Sequence, residues 1–142
     1  MHVSAKTEYA CLAVLELALS YDSGEPMQVR RLATAHGIPS HFLVQILLQL
    51  KNAGLVSSTR GAAGGYRLIR SPEQVTLLEV MEAIDGREDS TYSHSSLRSP
   101  TASALFQTWT TAAERQREVL SETSFAELCR QAAETTEDMY YI

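Results

Sequence analysis

The stretch from residue 54 to residue 68, GLVSSTRGAAGGYRL, constrains the fold of this chain more than any other. Two short β-favourable runs, residues 55–59 and 66–69, flank a loop that contains three glycines. Because glycine tolerates positive φ, the loop can reverse tightly, and the pattern predicts a β-hairpin with a turn longer than the minimal one. Arg60 lies at the shoulder of the turn and Arg67 on the returning strand, so the hairpin is cationic and suits a narrow, anionic groove.

Two amphipathic helical patterns precede the hairpin, and a Gly-Ile-Pro turn joins them. The first, residues 27–36, is expected to end at Gly37, because glycine readily takes the left-handed conformation that closes a helix. The second covers residues 40–53 and follows Pro39, which suits the start of a helix. Helix, turn, helix and hairpin is the order of a winged helix-turn-helix. The sequence therefore predicts a mainly α fold with a small β-hairpin wing.

The apolar spacing predicts four more helices. An N-terminal helix follows the hydroxyl cap Ser4 and continues to about Ser20, and another covers residues 76–85. A long helix over residues 101–121 and a short one over residues 125–133 complete the chain. The predicted core comprises Tyr9, Leu12, Ala13, Leu17, Ala18, Val29, Leu32, Ala33, Phe42, Leu43, Ile46, Leu47, Leu50, Leu77, Val80, Met81 and Ile84.

Charge is distributed unevenly along a chain whose overall balance is acidic, with 12 Lys and Arg against 17 Asp and Glu. No Asp or Glu occurs between Glu25 and Glu73, and we call residues 26–72 the carboxylate-free window. Residues 1–70 carry 7 basic and 4 acidic side chains, and residues 71–142 carry 5 and 13. A segment without carboxylates avoids repulsion from phosphates and gains from counterion release, so the window predicts a nucleic-acid-binding surface. A solvated surface without a partner is the alternative.

The second helix of a helix-turn-helix lies in the major groove, so the outer face of residues 40–53 is the predicted reading surface. Gln45 and Gln49, one turn apart, are candidates for contacts with adenine edges, and Val44 for a thymine methyl group. Leu48 widens the apolar part of this face. The candidate DNA-binding residues are Lys6, Arg30, Arg31, Ser40, His41, Val44, Gln45, Gln49, Lys51, Arg60, Gly61, Gly64, Gly65 and Tyr66.

Several function classes are disfavoured by what the chain lacks. Its apolar runs fall short of the roughly 20 residues that span a bilayer, and no signal-peptide pattern opens it, so we expect a cytoplasmic protein without a membrane partner. The glycine-rich loop lacks the Gly-Lys-Ser/Thr of a P-loop, and no local spacing indicates a catalytic triad, so no enzyme is predicted. Cys11 and Cys129 lie far apart inside helical patterns, which argues against a disulfide framework.

The hairpin motif, continued by IRSPEQVTLLEVMEAIDG and preceded by SHFLVQILLQLKNA and SAKTEYA, resembles the Rrf family of bacterial winged-helix regulators. The likeness covers roughly residues 1–86, and its most specific piece is Arg-Gly-x-x-Gly-Gly-Tyr at residues 60–66. It implies a homodimer on a roughly palindromic operator in duplex DNA. The helix of residues 40–53 would lie in the major groove and Arg60 in the adjacent minor groove. Val44 departs from the family, where Glu is frequent, so the operator sequence does not carry over.

Many members of this family hold an iron–sulfur cluster through three cysteines, and residues 86–103 contain none. By the resemblance, the last family cysteine falls near Ser103 and a histidine ligand at Phe106. Glu8 matches a position from which some relatives donate a carboxylate, but a carboxylate without thiolates holds no cluster. We therefore predict no metal and no cofactor. The chain looks most like the cysteine-metabolism repressors of the family, and a redox- or iron–sulfur-responsive regulator is the alternative.

The long helix carries an apolar stripe that a partner helix from a second subunit would bury, and packing on its own domain is the alternative. We expect three parts: a winged helix-turn-helix over residues 1–86, a flexible loop over 87–100, and a dimerisation helix, short helix and tail over 101–142. The predicted dimer-interface residues are Leu105, Trp109, Ala112, Ala113, Gln116, Val119 and Leu120.

The chain ends in an apolar tip, Tyr140, Tyr141 and Ile142, after an acidic run. Free termini tend to be polar, so such a tip indicates docking. The cysteine-metabolism repressors end similarly, and the last residue resembles the tail with which serine acetyltransferase enters O-acetylserine sulfhydrylase. We expect the tip to bind that enzyme, and packing on the chain itself is the alternative. Two further interpretations are an interaction module that regulates an enzyme through this tail and a thiol switch at Cys11 or Cys129.

Overall fold

The computed structural model describes residues 1–87 and 99–140. The helices in these ranges are α1 (Ala5–Leu19), α2 (Val29–His36), α3 (Ser40–Asn52), α4 (Leu77–Asp85), α5 (Pro100–Glu122) and α6 (Phe125–Tyr140), and the strands are β1 (Val56–Thr59) and β2 (Gly65–Leu68). The two strands pair antiparallel, and we call them and the intervening loop the wing. The predicted mainly α, winged helix-turn-helix architecture is confirmed. Most of the predicted loop 87–100 lies outside the described residues.

The start of α1 is fixed by its cap, because Oγ of Ser4 accepts a hydrogen bond from the backbone N–H of Thr7 at 3.1 Å. Thr7 is fully buried, and its hydroxyl donates to the carboxylate of Asp85 at the end of α4. Tyr9 and Phe42, both predicted to be buried, are only half-buried, and their rings meet edge to face at 5.8 Å. These contacts hold α1 against both α3 and α4.

The start of α2 differs from the prediction, because the backbone at Met27 pairs with β2 and does not enter the helix. The backbone N–H and C=O of Met27 exchange hydrogen bonds with Tyr66 of β2, each at 2.8 Å. This bridge adds a third, one-residue strand beside β2 and delays α2 until Val29. Gly37 ends α2 at φ 64°, as the glycine signal predicts.

The buried hydrophobic residues of the described ranges form one core, to which every helix except α5 contributes. Phe125, the first residue of α6, is fully buried in it. Two backbone hydrogen bonds hold it there: Leu77 donates to the carbonyl of Thr123, and Phe125 to the carbonyl of Val75, each at 2.9 Å. The C-terminal part of the chain is therefore anchored on the core of the N-terminal part. The residue spacing of the sequence did not predict this return.

The last helix, α6, is longer than predicted and continues through the acidic run to residue 140. Glutamate is a good helix former, and Arg130 pairs with Glu127 and Glu134 one turn away on either side. Residues 130–139 are all exposed. None of the helices that the structure describes combines the length and the apolar content needed to cross a bilayer.

Candidate nucleic-acid interface

The outer face of α3 is a continuous stripe, because buried residues such as Leu43 and Leu50 fix the opposite side in the core. At 100° per residue, Leu48 lies at the centre of the stripe. Val44 is 48% exposed and Leu48 54%. We call this stripe the reading face. Its exposed residues are Ser40, His41, Val44, Gln45, Leu48, Lys51 and Asn52.

The two glutamines of the predicted reading surface are not equivalent. Gln45 is exposed, whereas Gln49 is half-buried at the edge of the reading face. Oε1 of Gln49 is enclosed by protein and has no hydrogen-bond partner among the described residues. An enclosed acceptor reaches a base edge only if the side chain turns outward. Gln45 is therefore the better placed of the two for contact with a ligand.

Two glycines of the wing loop lie so close to other backbone atoms that an added Cβ would force the backbone to shift. A Cβ on Gly64 would lie 2.1 Å from the carbonyl oxygen of Thr59. Gly65 has φ 151°, and a Cβ there would lie 2.4 Å from the carbonyl oxygen of Met27. These close approaches set the shape of the loop, at whose shoulder Arg60 is exposed.

Two hydrogen bonds fix the wing relative to the helices. Nζ of Lys51, at the end of α3, donates to Oγ of Ser58 on β1 at 2.7 Å. Nε2 of Gln28, just before α2, donates to the carbonyl of Ala62 at the wing tip at 2.9 Å. The wing and the reading face are thus held as one unit. Among residues 1–87 and 99–140 Lys51 uses one of its three donors, which leaves two for an outside acceptor.

The cations of the carboxylate-free window differ in what they contact. Arg70 forms an ion pair with Glu79 of α4, and Arg67 donates to the carbonyl of Gly24 at 3.0 Å, so both have structural partners. In the part of the chain that the structure describes, no carboxylate pairs with Arg60 or with the two arginines of α2. These three side chains are exposed and uncompensated.

The remaining candidates occupy more varied surroundings. Lys6 is half-buried on the first turn of α1, and no hydrogen bond within residues 1–87 and 99–140 ties it to α3 or to the wing. Tyr66 is half-buried, and its backbone holds Met27. Of the tail, Tyr140 ends α6, and Tyr141 and Ile142 lie outside the described residues.

The dimer-interface candidates on α5 separate into two adjacent rows. Ala113 and Leu120 are half-buried on the side from which Arg117 forms an ion pair with Glu82 of α4. The other row is exposed and repeats at intervals of four and three residues. Although α5 has 23 residues, all within the described range, none of them is buried. The exposed row consists of Leu105, Trp109, Ala112, Gln116 and Val119.

Both cysteine thiols are held in the protonated form. Burial raises the pKa of Cys11 to about 12, and the nearby carboxylate of Asp85 adds to the shift. Burial, with a smaller effect of Glu16, also raises the pKa of Cys129. A protonated thiol is neither a nucleophile nor a metal ligand. Across the described ranges, no three His, Cys, Asp or Glu side chains lie close enough together to hold a metal ion.

A helix-turn-helix with an exposed reading helix, a braced wing and uncompensated arginines defines a DNA-binding regulator of the winged helix-turn-helix class. The chain belongs to the Rrf2 family: the family model, described as an iron-dependent transcriptional regulator, matches residues 3–131. The resemblance seen in the sequence is confirmed.

Curated relatives are transcriptional regulators of the same kind. An HTH-type transcriptional regulator of Mycobacterium tuberculosis is 38% identical over 132 residues, which cover 90% of this chain and 81% of that protein. CymR of Bacillus subtilis is 35% identical over 86 residues, or 61% of this chain and 62% of CymR. An rrf2-like regulator of Rhodobacter capsulatus is 42% identical over 59% of this chain, which spans only 57% of that relative's length.

Solved structures resemble the chain beyond the winged part. The structure of CymR, described as the global cysteine regulator of B. subtilis, has a TM-score of 0.81 at 27% identity and covers 92% of this chain and 98% of its own. IscR of T. potens has a TM-score of 0.80 at 27% identity, and the match covers 99% of this chain and 97% of the IscR chain. Since coverage reaches past residue 86, the C-terminal helices belong to the shared fold.

Proposed function

We propose that this protein is a homodimeric transcriptional repressor that binds a roughly palindromic operator in duplex DNA. The observation that carries the proposal is that the exposed reading face and the uncompensated arginines of α2 and the wing fall inside one window without carboxylates. Phosphates repel carboxylates, and each protein cation that replaces a counterion of the DNA increases the binding affinity. The protein would act in the cytoplasm, on the chromosome, and the proposal assigns it no catalytic reaction.

The geometry supports a division of roles within this surface. α3 would enter the major groove, where Gln45 and Val44 meet base edges. Arg60, at the shoulder of the wing, would enter the adjacent minor groove. Arg30, Arg31, Ser40, His41 and Lys51 would contact phosphates and fix the register, and Gly61, Gly64 and Gly65 would let the backbone approach.

The proposal is tested by Arg60→Ala in a salt titration of DNA binding. We expect a loss of about 1–3 kcal/mol of affinity and a smaller dependence of affinity on salt, because a cation that lies in the minor groove between the two phosphate backbones is removed. Arg130→Ala is the matched control, since Arg130 pairs with carboxylates of α6 outside the window. Equal affinity of the Arg60→Ala and unchanged proteins would exclude the wing from the interface.

The homodimer is supported by the exposed row on α5. Its spacing of four and three residues is that of a coiled-coil seam, which a second copy of α5 would bury. Val119 is 64% exposed in the single subunit, so Val119→Glu leaves the subunit fold intact and is expected to give a monomer by light scattering. Gln107→Glu, on the opposite side of α5, should stay dimeric. A Val119→Glu protein that remains dimeric would move the interface elsewhere.

We also propose that the regulator works without an iron–sulfur cluster, although the family description includes iron. The donor set does not fit such a group, because residues 86–103 contain no cysteine and the chain has only Cys11 and Cys129. Clusters of this kind are held by several thiolates, more than these two residues could supply. Protein purified without oxygen should show no absorbance between the ultraviolet protein band and the red, and no stoichiometric iron. A visible band that bleaches in air would contradict the proposal.

The regulated genes are proposed to include those of cysteine and sulfur metabolism. The support is the likeness to CymR, which is described as a cysteine regulator, in a chain that lacks cluster cysteines. Sequencing of DNA co-precipitated from the source cells should enrich promoters of sulfur genes, and deletion of the gene should raise their transcripts. Bound promoters without sulfur genes would leave the DNA-binding function standing and remove this role.

The tail is proposed to bind O-acetylserine sulfhydrylase, which would couple repression to that enzyme. In support, residues 130–139 of α6 are all exposed, so the helix that leads to Tyr140 does not pack on its own domain. A chain cut after Met139 should no longer retain the purified enzyme on a column, whereas Met139→Ala in the full chain should retain it. Retention by the truncated chain would reject the partner.

A further inference from the structure

Two apolar side chains, Val44 and Leu48, lie together at the middle of a face that is otherwise polar. They are one helical turn apart and 48% and 54% exposed. Single exposed hydrophobic residues are ordinary, but here the most central position of the reading face carries the larger of the two. The core does not account for them, because the opposite side of α3 is already packed through Leu43 and Leu50.

The surroundings of this pair determine what can cover it. The pair lies within the carboxylate-free window, which also contains Lys51 on the next turn of α3 and the exposed, uncompensated arginines of α2 and Arg60 of the wing. An exposed apolar pair in a cationic, carboxylate-free segment favours an anionic partner that also displays small apolar groups. Duplex DNA is such a partner, because its major groove displays the C5-methyl group of thymine between two phosphate backbones.

We infer that Val44 and Leu48 read the C5-methyl groups of two pyrimidines in the major groove, an inference that rests on the proposed function. Thymine and 5-methylcytosine both carry this group. Residues four apart on a helix are about 6 Å apart along its axis. Base pairs are about 3.4 Å apart, so the two methyl groups belong to pyrimidines about two steps apart. Specificity on this face then comes from methyl contact, with Gln45 as the adjacent hydrogen-bonding residue.

The experiment begins with selection of bound duplexes from a random library by the purified full-length chain. Thymine is expected at two positions about two steps apart in each half-site. Duplexes of the selected sequence are then made with deoxyuridine in place of each of these thymidines, which removes the methyl group and leaves every hydrogen bond. Burial of one methyl group corresponds to about a fourfold change in Kd, so we expect about a fourfold loss per contacted methyl.

A second pair of duplexes distinguishes the two sources of the methyl group. Cytosine and 5-methylcytosine are compared at the same positions. Tighter binding of 5-methylcytosine by about the same factor shows that any C5-methyl group is read, and equal binding of the two shows that the contact is limited to thymine. Both results support the inference, provided that the thymine duplex binds more tightly than the deoxyuridine duplex.

The Leu48→Ala variant connects the methyl effect to the protein. It should bind the thymine duplex more weakly and no longer distinguish thymine from uracil at one of the two positions. Its salt dependence should be unchanged, because no charge is removed. Leu19→Ala, which truncates a leucine 62% exposed on α1, is the matched control and should bind as the unchanged protein does.

Three results would overturn the inference. Sequence-selective binding that is indifferent to deoxyuridine would reject methyl reading and leave the proposed function intact. Equal discrimination by the Leu48→Ala and unchanged proteins would assign the methyl contact to another residue. Absence of any salt-dependent DNA binding would reject the proposed function itself, and the inference with it.

Discussion

Gly64 and Gly65 show how single residues set the shape of the wing. The turn-forming glycines could be predicted from the sequence, because glycine clusters between β-favourable runs mark reversals. The constraint on Gly65 could not, because the backbone that Gly65 approaches belongs to Met27, far away in the chain. The exposure of Val44 and Leu48 follows from helical spacing alone. The enclosure of Gln49 depends on tertiary packing and does not.

Gly64→Ala is expected to distort the wing. The added Cβ would lie 2.1 Å from a backbone oxygen, which cannot move as a side chain can. We expect the free energy of unfolding to fall by about 1–3 kcal/mol and DNA affinity to fall as well, measured by denaturant titration and anisotropy. Ala62→Ser, at an exposed position of the same loop, should change neither quantity appreciably.

The thiol of Cys11 is expected to be unreactive in the folded protein. Its pKa lies at about 12 when folded and near 9.0 when unfolded, so the thiolate needed for alkylation is scarce at neutral pH. Because the unfolded state loses its proton first, stability should fall as pH rises from 9.0 to about 12. Mass spectrometry after iodoacetamide treatment should show modification of Cys11 only in denaturant. Rapid labelling of the native chain would restore the thiol-switch interpretation.

At the scale of elements, local sequence signals predicted which helices and strands exist better than they predicted where each one begins and ends. The cap Ser4 predicted the start of α1, because its hydroxyl satisfies a first-turn amide within its own segment. Thr76, predicted as the first residue of the next helix, is instead the cap of α4. The start of α2 was wrong, since the bridge from Met27 to β2 joins distant parts of the chain and removes residues from a favourable helical pattern. The end of α6 was also wrong, because glutamate favours a helix and Arg130 pairs with Glu134, the first residue of the acidic run.

Thr76→Ala should weaken α4 by removing its cap. Oγ1 of Thr76 accepts from the backbone N–H of Glu79 at 3.2 Å, and loss of such a cap costs about 1 kcal/mol. Thr108→Ala is the control, because its hydroxyl bonds back to the carbonyl of Ala104 within α5 and caps nothing. Urea titration should separate the two variants. Equal stability of Thr76→Ala and the unchanged protein would show that the cap contributes nothing.

At the scale of the whole molecule, the residue spacing of the sequence predicted the winged part well but did not predict that the C-terminal part packs on it. The structure instead brings α6 back onto the core of the winged part through Phe125 and the hydrogen bonds around it. Such a return depends on long-range pairing between residues 75–77 and 123–125, for which a sequence has no local signal. The domain limits proposed from the sequence stay a prediction.

Phe125→Ala should destabilise the entire winged unit and not only its last helix. A fully buried phenylalanine truncated to alanine costs about 3–5 kcal/mol through lost burial and the cavity left behind. Denaturation followed at α3 and at α6 should shift together. Met139→Ala, at a position 73% exposed, is the control and should leave the transition unchanged. Separate transitions at α3 and α6 would contradict a shared core.

The pairing of residues 75–77 with 123–125 has a mechanical consequence. It fixes the C-terminal end of α5 to the core that carries α3, and the ion pair of Arg117 with Glu82 of α4 adds a second attachment less than two turns before that end. In a dimer joined along α5, the distance between the two reading helices would therefore vary little. One extra base pair between the half-sites rotates the two half-sites by about 34° relative to each other, and a rigid dimer cannot follow such a rotation.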